Sequence, residues 1–308
     1  MADDLGSAIG AQAFELEEFN ARLGETAVDL SNAEGVALAA HLLARLSANS
    51  NFLADHALGV LKNSWDNSRA TNPYGAQVLM LNRVAGSHFI RANFWPSADD
   101  PVLRASSAGH YAYHKPHDHN FDFITVGYLG PGYRSRWYEY DYATVTGYAG
   151  EAVELTPVEE GVLNRGRLLH YRAHRDVHDQ LPPAALSISL NIIAENPTAV
   201  WRDQYHFDLD RHCVSSIATL SPNEIALRIA AALSGDGLDL AHEFARRHPS
   251  ERVRWQAWRA LIGNEISPSK RVALMEMAQS DASSLVSNEA CALLASQLGG
   301  MDECLEAC

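Results

Sequence analysis

GHYAYHKPHDHNFDFITVGYLGPGY, residues 109–133, is the stretch of sequence that decides the fold of this 308-residue chain. Its later part is rich in β-branched and aromatic residues and contains a Gly-Pro-Gly turn at 130–132. Other short runs of this kind, separated by turn residues, extend from Gln77 to residue 193. Six or seven closely spaced strands without helical periodicity between them predict an all-β sandwich or barrel.

The segments on either side of these strands follow a helical pattern. In residues 12–62 apolar residues recur at spacings of three and four, and a breaker-rich loop follows at 63–75. Ser221 and Glu224 delimit a capping box that opens the first of four or five short helices. We therefore predict an α+β protein made of N-terminal helices at 1–70, a β-barrel at 76–212 and a C-terminal helical domain at 220–308.

Charge and cysteine content exclude several classes of protein. The chain has 38 Asp and Glu against 24 Lys and Arg, a formal net charge of −14, whereas nucleic acid and anionic lipid require concentrated positive charge. No apolar stretch approaches the roughly 18 residues that span a bilayer, and the acidic start resembles no secretion signal. The four cysteines form no C-x-x-C pair. We expect a cytoplasmic protein with reduced thiols and a small-molecule substrate.

Half of the 14 histidines fall in two short clusters within the predicted barrel. These are His110, His114, His117, His119, His170, His174 and His178. In an extended chain His117 and His119 point to the same face, and neutral imidazoles bind divalent iron, nickel, copper, manganese or zinc. The three histidines of the second cluster are spaced by four, which leaves open which of them is a ligand.

Two motifs resemble those of a known family. The segment 116–119, Pro-His-Asp-His, followed by an aromatic strand and the G-x-x-G-x-G turn 127–132, resembles the first motif of the cupin superfamily. His178, followed by Pro-Ala-Ala-Leu-Ser at 183–187, resembles the second. Over about residues 80–197 the chain is similar to the three-histidine thiol (cysteine) dioxygenases. The resemblance implies a double-stranded β-helix, or jelly-roll barrel, with an Fe(II) site formed by His117, His119 and His178.

Departures from the family indicate a different substrate. Phe123 stands where cupins in general carry a glutamate ligand, and whether the adjacent Asp122 is an additional ligand stays open. The histidine and tyrosine on the last strand of thiol dioxygenases correspond to Ser189 and Asn191, and their crosslinking cysteine corresponds to Ile124. We therefore expect a shared metal scaffold but not the oxidation of cysteine itself.

Several other residues are candidates for the substrate side of the site. The resemblance implies an upstream arginine that binds a substrate carboxylate, and Arg83 and Arg91 both lie near that place. Tyr128 belongs to an aromatic stretch that either lines the barrel or forms ordinary core. Ser187 and Asn191 complete the candidate catalytic residues. Candidates for orienting the imidazoles are Asp118 or Asp176, Gln180 and Ser187.

Together these features predict a mononuclear non-haem iron oxygenase. It would oxidise a small polar substrate, such as an amino-acid derivative, with O₂ and without 2-oxoglutarate. One alternative is a cupin-type isomerase or lyase that uses zinc, manganese or nickel as a Lewis acid. The other is a non-enzymatic protein that binds a partner.

The C-terminal helices are the candidate surface for such a partner or for a homo-oligomer. The stretch HPSERVRWQAWRALIG, residues 248–263, resembles a HEAT-type helical repeat. Such repeats bury a core only when several copies stack, and this chain has room for two or three. A small helical bundle is the other interpretation.

Overall fold

The structure is a computed structural model, and it describes residues 2–25, 28–66, 77–84, 87–195, 202–219 and 222–305. The chain divides into two compact units. Unit 1 comprises Met1–Thr144, Ala152–Val200 and Gln204–Ser216, and unit 2 comprises Val145–Glu151, Trp201–Asp203 and Ile217–Cys308. The predicted boundaries of the three parts stay predictions. Most of the predicted loop 63–75, and Ser221 of the predicted capping box, lie outside the described residues.

Unit 1 contains helices and antiparallel sheets, which confirms the predicted α+β class. Its helices are α1 (Leu16–Gly24), α2 (Ala33–Ala48), α3 (Phe52–Asp66) and α4 (Pro101–Ala105), with 3-10 turns at Ala108–Tyr111 and Tyr142–Thr144. Its strands are β1 (Asp3–Ser7), β2 (Val78–Val84), β3 (His88–Trp95), β4 (Phe123–Leu129), β5 (Arg134–Glu139), β6 (Thr156–Val162), β7 (Arg167–Tyr171), β8 (Asp176–Leu181), β9 (Ser187–Ala194), β10 (Tyr205–Asp208) and β11 (Cys213–Ile217).

The strands form two main sheets. A six-stranded sheet has the order β1-β7-β4-β9-β3-β2, and a three-stranded sheet has the order β6-β5-β8. The described pairings within both are antiparallel. The remaining two strands, β10 and β11, pair with each other. Short turns rather than helices therefore connect most of the strands, as expected of a sandwich or barrel.

Both faces of the six-stranded sheet are buried along its central strands β7, β4, β9 and β3. On one face Ile90, Ile124 and Ile192 are 0% exposed and belong to a core shared with the N-terminal helices. On the other face Phe123 and Tyr171 belong to a separate aromatic core. Side chains alternate between the two faces because successive residues of a strand point to opposite sides. The N-terminal helices thus cover the outer face of the sheet, and each isoleucine contributes about 1.5–3 kcal/mol by burial.

Unit 2 is a helical body with its own core. Its helices are α5 (Pro222–Leu233), α6 (Gly235–Arg247), α7 (Glu251–Asn264), α8 (Pro268–Gln279) and α9 (Ser284–Leu305). The buried Ala257 and Met275 pack in this core, and Ser250 caps α7 by accepting a hydrogen bond from the Val253 N–H. The HEAT-type assignment of these helices stays a prediction. Among the described residues, every helix is too short or too polar to traverse a bilayer.

Candidate metal centre

Three histidine side chains from two distant parts of the chain meet in unit 1. His117 pairs with His178 of β8, because the backbone N–H of each donates to the carbonyl of the other at 3.1 and 3.0 Å. Nε2 of His178 lies 3.2 Å from Nε2 of His117 and 3.1 Å from Nε2 of His119. Among the described residues, these three form the group that could hold a metal ion, with ligand atoms within 4.8 Å of one another.

Hydrogen bonds to neighbouring segments hold His117 and His119 in place. Both precede β4, which begins at Phe123. His117 forms bridges with His178 on one side and with His206 of β10 on the other. Extended backbone puts residues i and i+2 on the same side, and the imidazoles of His117 and His119 both meet His178. The expectation that an H-x-H pair shares one face agrees with this arrangement.

Asp118, between the two histidines, anchors the segment. Its side chain is fully buried, and its carboxylate accepts hydrogen bonds from the Tyr140 hydroxyl and the Tyr205 N–H, each at 2.6 Å. Burial and the Asp118 charge raise the pKa of Tyr140, so the phenol remains protonated and donates. Asp118 therefore fixes the backbone of the H-x-H segment instead of touching an imidazole of the cluster.

The fold separates the three histidines of the second sequence cluster. His178 points to His117 and His119, whereas Nδ1 of His174 lies 3.7 Å from the Asp118 carboxylate. His170 is on β7, where its Nδ1 lies 3.7 Å from the Asp3 carboxylate. Of the three, the structure brings only His178 to the cluster.

The protonation of the cluster suits metal binding. Nδ1 of His117 lies 2.6 Å from the Lys115 carbonyl oxygen, so the ring N–H is on Nδ1 and the lone pair is on Nε2. Burial, partly opposed by that hydrogen bond, lowers the pKa of His117 to about 4. Burial and neighbouring positive charge also lower the pKa of His119 and of His178 well below the usual range. All three rings are therefore neutral at pH 7, the form that binds metals.

The spacing of the imidazole nitrogens also suits a cation. Neighbouring ligands about 2.1 Å from one ion, at right angles, lie about 3.0 Å apart, close to the two Nε2 separations at His178. A proton on Nε2 of His178 can be donated in a hydrogen bond to Nε2 of His117 or to Nε2 of His119, but not to both. If that nitrogen is bare instead, it faces the bare Nε2 of His117. In either tautomer, one of the two contacts of His178 Nε2 therefore has no hydrogen bond. A divalent cation that accepts the nitrogen lone pairs would remove this mismatch.

Aromatic rings enclose the cluster. Phe121 and Phe123 each lie 4.8 Å from the His119 ring, measured between centroids. Tyr171 lies 4.8 Å from the His178 ring and stacks on Phe123 at 4.5 Å. This apolar wall excludes water and accounts for the lowered pKa values of the imidazoles. Sequence reasoning did not single out Phe121 or Tyr171, although both lie within three residues of a clustered histidine.

Asp122, the residue before Phe123, points its carboxylate toward the backbone of Ala173 and not toward the histidines. Its carboxylate accepts a hydrogen bond at 3.0 Å from the N–H of Ala173. Phe123, which follows it, packs against His119 at the position where cupins in general carry glutamate. Neither Asp122 nor the residue at position 123 therefore offers a carboxylate to the three histidines.

The two candidate arginines occupy different places. Arg91 of β3 pairs in register with Asn191 of β9, and its positive charge lowers the pKa of all three clustered histidines. Thr125 of β4 lies opposite Asn191 and donates a hydrogen bond to its side-chain oxygen at 2.8 Å. Arg83 instead pairs with Glu195 at 2.8 Å, and its side chain is 60% exposed. Arg91 and Asn191 thus lie on the histidine side of the sheet.

Two other candidates lie away from the histidines. Tyr128 belongs to the core against the N-terminal helices, where its hydroxyl donates to the Asn49 carbonyl at 2.9 Å. Ser187 accepts a hydrogen bond from the Gly132 N–H at 3.0 Å. Gly132 has φ +86°, a conformation that favours glycine, and a Cβ there would collide with the Leu163 backbone. Ser187 therefore supports the glycine turn, and Tyr128 belongs to the helix-facing core.

Of the remaining candidates for orienting the imidazoles, Gln180 contacts a clustered histidine and Asp176 does not. The amide nitrogen of Gln180 lies 3.0 Å from Nε2 of His178, so Gln180 belongs to the cluster. Asp176 instead accepts hydrogen bonds from Arg172, the shortest at 2.6 Å. That carboxylate holds the turn between β7 and β8.

Comparison with known proteins gives matches only among solved structures. No family model and no curated protein matches the chain. A hydroquinone 1,2-dioxygenase from Sphingomonas sp. TTNP3 with 4-hydroxybenzoate bound is 9% identical, over 42% of this chain and 71% of that one, with a TM-score of 0.28. A hydroquinone 1,2-dioxygenase in complex with Cd²⁺ and 4-hydroxybenzonitrile is 11% identical, over 42% and 69%, with a TM-score of 0.25.

The DMSP lyase DddQ from Ruegeria pomeroyi DSS-3 is 10% identical, over 41% of this chain and 53% of that one, with a TM-score of 0.25. These neighbours are cupin-fold enzymes matched at low identity and over part of the chain. TM-scores this low indicate only a partial likeness.

Proposed function

We propose that this chain is a cupin-type enzyme that binds one divalent metal ion on His117, His119 and His178. The observation that carries the proposal is the convergence of three buried, neutral imidazoles, in which Nε2 of His178 lies 3.2 Å from Nε2 of His117 and 3.1 Å from Nε2 of His119. Such a set is costly to bury without a partner, because ring nitrogens without hydrogen bonds lose their solvation. With Fe(II), the protein would be a mononuclear non-haem oxygenase.

The neutral donor set supports iron and oxygen chemistry. Three imidazoles contribute no charge, and Fe(II) held there would supply adjacent positions for a substrate and for O₂. The aromatic wall of Phe121, Phe123 and Tyr171 would keep bulk water from the reacting groups. In the facial triad typical of 2-oxoglutarate oxygenases, H-x-D…H, a carboxylate ligand stands where this chain has His119, so the proposed reaction needs no 2-oxoglutarate.

Arg91 supports a substrate that carries a negative charge. Its guanidinium is close enough to the clustered histidines to lower their pKa values, and it can bind a carboxylate with two parallel hydrogen bonds. Asn191, in register with it, offers an amide on the same face. A small polar molecule such as an amino-acid derivative would bind Arg91 and Asn191 through its carboxylate and the metal ion through its other end.

We expect Arg91→Leu to weaken the binding of 3-mercaptopropionate, a probe with a thiol and a carboxylate, by about tenfold or more. Binding is measured by the change that the probe causes in the spectrum of the iron-nitrosyl adduct. Arg83→Leu is the matched control, because Arg83 pairs with Glu195 at the surface, and it should leave binding unchanged. Equal affinities of the Arg91→Leu variant and the wild type would remove Arg91 from the substrate site.

Anaerobic reconstitution with Fe(II) tests the proposed function. We expect one iron per chain by elemental analysis and a high-spin iron-nitrosyl signal by electron paramagnetic resonance after addition of nitric oxide. Turnover of small carboxylates should then consume O₂. Turnover that persists without O₂ would replace the oxygenase with an isomerase or lyase, and a chain that binds no stoichiometric metal would eliminate both.

A further inference from the structure

Unit 1 has an open cavity beside the core that packs against the N-terminal helices. Its volume is about 370 Å³, within the range of about 300–1,000 Å³ that is usual for small-molecule sites. It is lined by residues 8–11, 47–48 and 165–166 and by Gly127. Ala8 and Ala11 pack with the helix-facing core, whereas Phe123 and Tyr171, which enclose the histidines, belong to the other core. The cavity is therefore separate from the proposed metal centre.

Two tight turns, 8–11 and 164–167, form one wall of the cavity. In each turn the first carbonyl accepts a hydrogen bond at 3.1 Å from the N–H three residues on. The third residue of each is a glycine with positive φ, +88° at Gly10 and +85° at Gly166, as in a type II turn. The Ala8 N–H donates to the Gly166 carbonyl at 2.7 Å and joins the two turns. The second residues of the turns, Ile9 and Arg165, both line the cavity.

Arg165 is the one charged residue of the lining. Its guanidinium has no ion pair or hydrogen bond with any residue that the structure describes, whereas Arg167 in the same turn pairs with two carboxylates. Its positive charge partly offsets the rise that burial causes in the pKa of Tyr128. The Tyr128 hydroxyl donates to the carbonyl of Asn49, the residue that follows α2. Arg165 thus brings an unpaired positive charge close to the end of α2.

The end of α2 brings hydrogen-bond acceptors to the same cavity. The last carbonyls of a helix have no N–H within the helix to bind. Those of Ser47 and Ala48, which line the cavity, accept no hydrogen bond from the described part of the chain. The C-terminal end of a helix also carries a partial negative charge. These carbonyls therefore favour a donor that is positively charged.

We propose that this cavity binds a small aliphatic α-amino acid in its zwitterionic form. The carboxylate pairs with Arg165, and the ammonium group donates to the carbonyls of Ser47 and Ala48. Two opposite charges on one carbon atom suit the closeness of Arg165 to the end of α2. The hydrocarbon side chain packs against Ile9 and Ala11, and Ile9, which is 80% exposed in the free chain, is covered by it.

Isothermal titration calorimetry of the full-length chain with L-leucine tests the proposal. We expect 4-methylpentanoate, which lacks the ammonium group, and 3-methylbutylamine, which lacks the carboxylate, each to bind at least about tenfold more weakly. Arg165→Gln should weaken the binding of L-leucine by about tenfold or more, because it removes the charge that pairs with the carboxylate. Ala48→Leu, which fills the cavity, should weaken it as well. Arg104→Gln is the matched control, because Arg104 is an exposed arginine outside the lining, and it should bind L-leucine like the wild type.

Arg91→Leu distinguishes this cavity from the substrate site proposed above. It should bind L-leucine with wild-type affinity, and so should the chelator-treated wild type, because neither Arg91 nor a metal ion takes part. Binding that is lost in Arg91→Leu but kept in Arg165→Gln would overturn the proposal and assign the amino acid to the metal centre. A wild type that binds no L-leucine, or that binds all three ligands equally, would overturn it too and leave the metal centre untouched. If Ala48→Leu does not fold by circular dichroism, Arg165→Gln, which changes an exposed and unpaired side chain, decides the question.

Discussion

Alanine at either His119 or His178 is expected to weaken the binding of a divalent metal ion by at least about a hundredfold. Substitution of residues that only hydrogen-bond to metal ligands already lowers metal affinity by about 10- to 100-fold. Each substitution removes one of three converging nitrogens and opens the aromatic pocket to water. Metal content after reconstitution and dialysis measures the loss. A second readout is the melting temperature, because an ion that binds only the folded chain stabilises it. Added metal should raise the melting temperature of the wild type but not of the variants.

His170→Ala is the matched control for these two variants. His170 belongs to the same sequence cluster as His178 and is also buried, but its Nδ1 lies near Asp3. It should retain metal at the wild-type level. Full occupancy in both the His119→Ala and His178→Ala chains would show that the imidazoles meet for packing alone.

Asp118→Ala is expected to lower the free energy of unfolding by about 3–5 kcal/mol, because two hydrogen bonds to a buried carboxylate are lost and their donors stay buried. Those donors are the Tyr140 hydroxyl and the Tyr205 N–H, both 2.6 Å away. The loss should also loosen the segment that carries His117 and His119. Urea denaturation measures the stability, and metal affinity should fall in the same variant.

Tyr140→Phe provides the graded comparison for Asp118→Ala. It deletes one of the two hydrogen bonds and keeps the carboxylate and the ring, so we expect a loss of about 1.5–3 kcal/mol. If Asp118→Ala denatures at the same urea concentration as the wild type, the carboxylate does not anchor the segment.

Strand prediction succeeded where the alternation of apolar residues is strong. The runs near Ile90, Ile124 and Ile192 form β3, β4 and β9 because one face of each is packed against helices. The run DVHDQL, residues 176–181, has no such alternation, yet it forms β8 with nearly every residue buried. Its polar side chains are kept inside by ion pairs and by the histidine cluster, which a hydrophobic pattern does not reveal.

Local geometry was enough to predict the pairing of His117 with His119. Two residues apart in extended chain, they share a side whatever the rest of the fold does. The choice of His178 came from the family resemblance and not from spacing, because the four-residue intervals between His170, His174 and His178 keep all three on one face of either a strand or a helix. That choice is made by the pairing of His178 with His117, 61 residues apart in the sequence.

The sequence by itself determined the α+β class, the β-rich segment and the paired imidazoles, since each depends on periodicity or on neighbours along the chain. Only the tertiary structure decided that Arg91 rather than Arg83 lies on the histidine side of the sheet, that Tyr128 faces the helices, and that Gln180 contacts His178. These outcomes depend on strand register and on contacts between distant segments. A shift of one residue in register moves every side chain of a strand to the other face, so no local pattern can determine them.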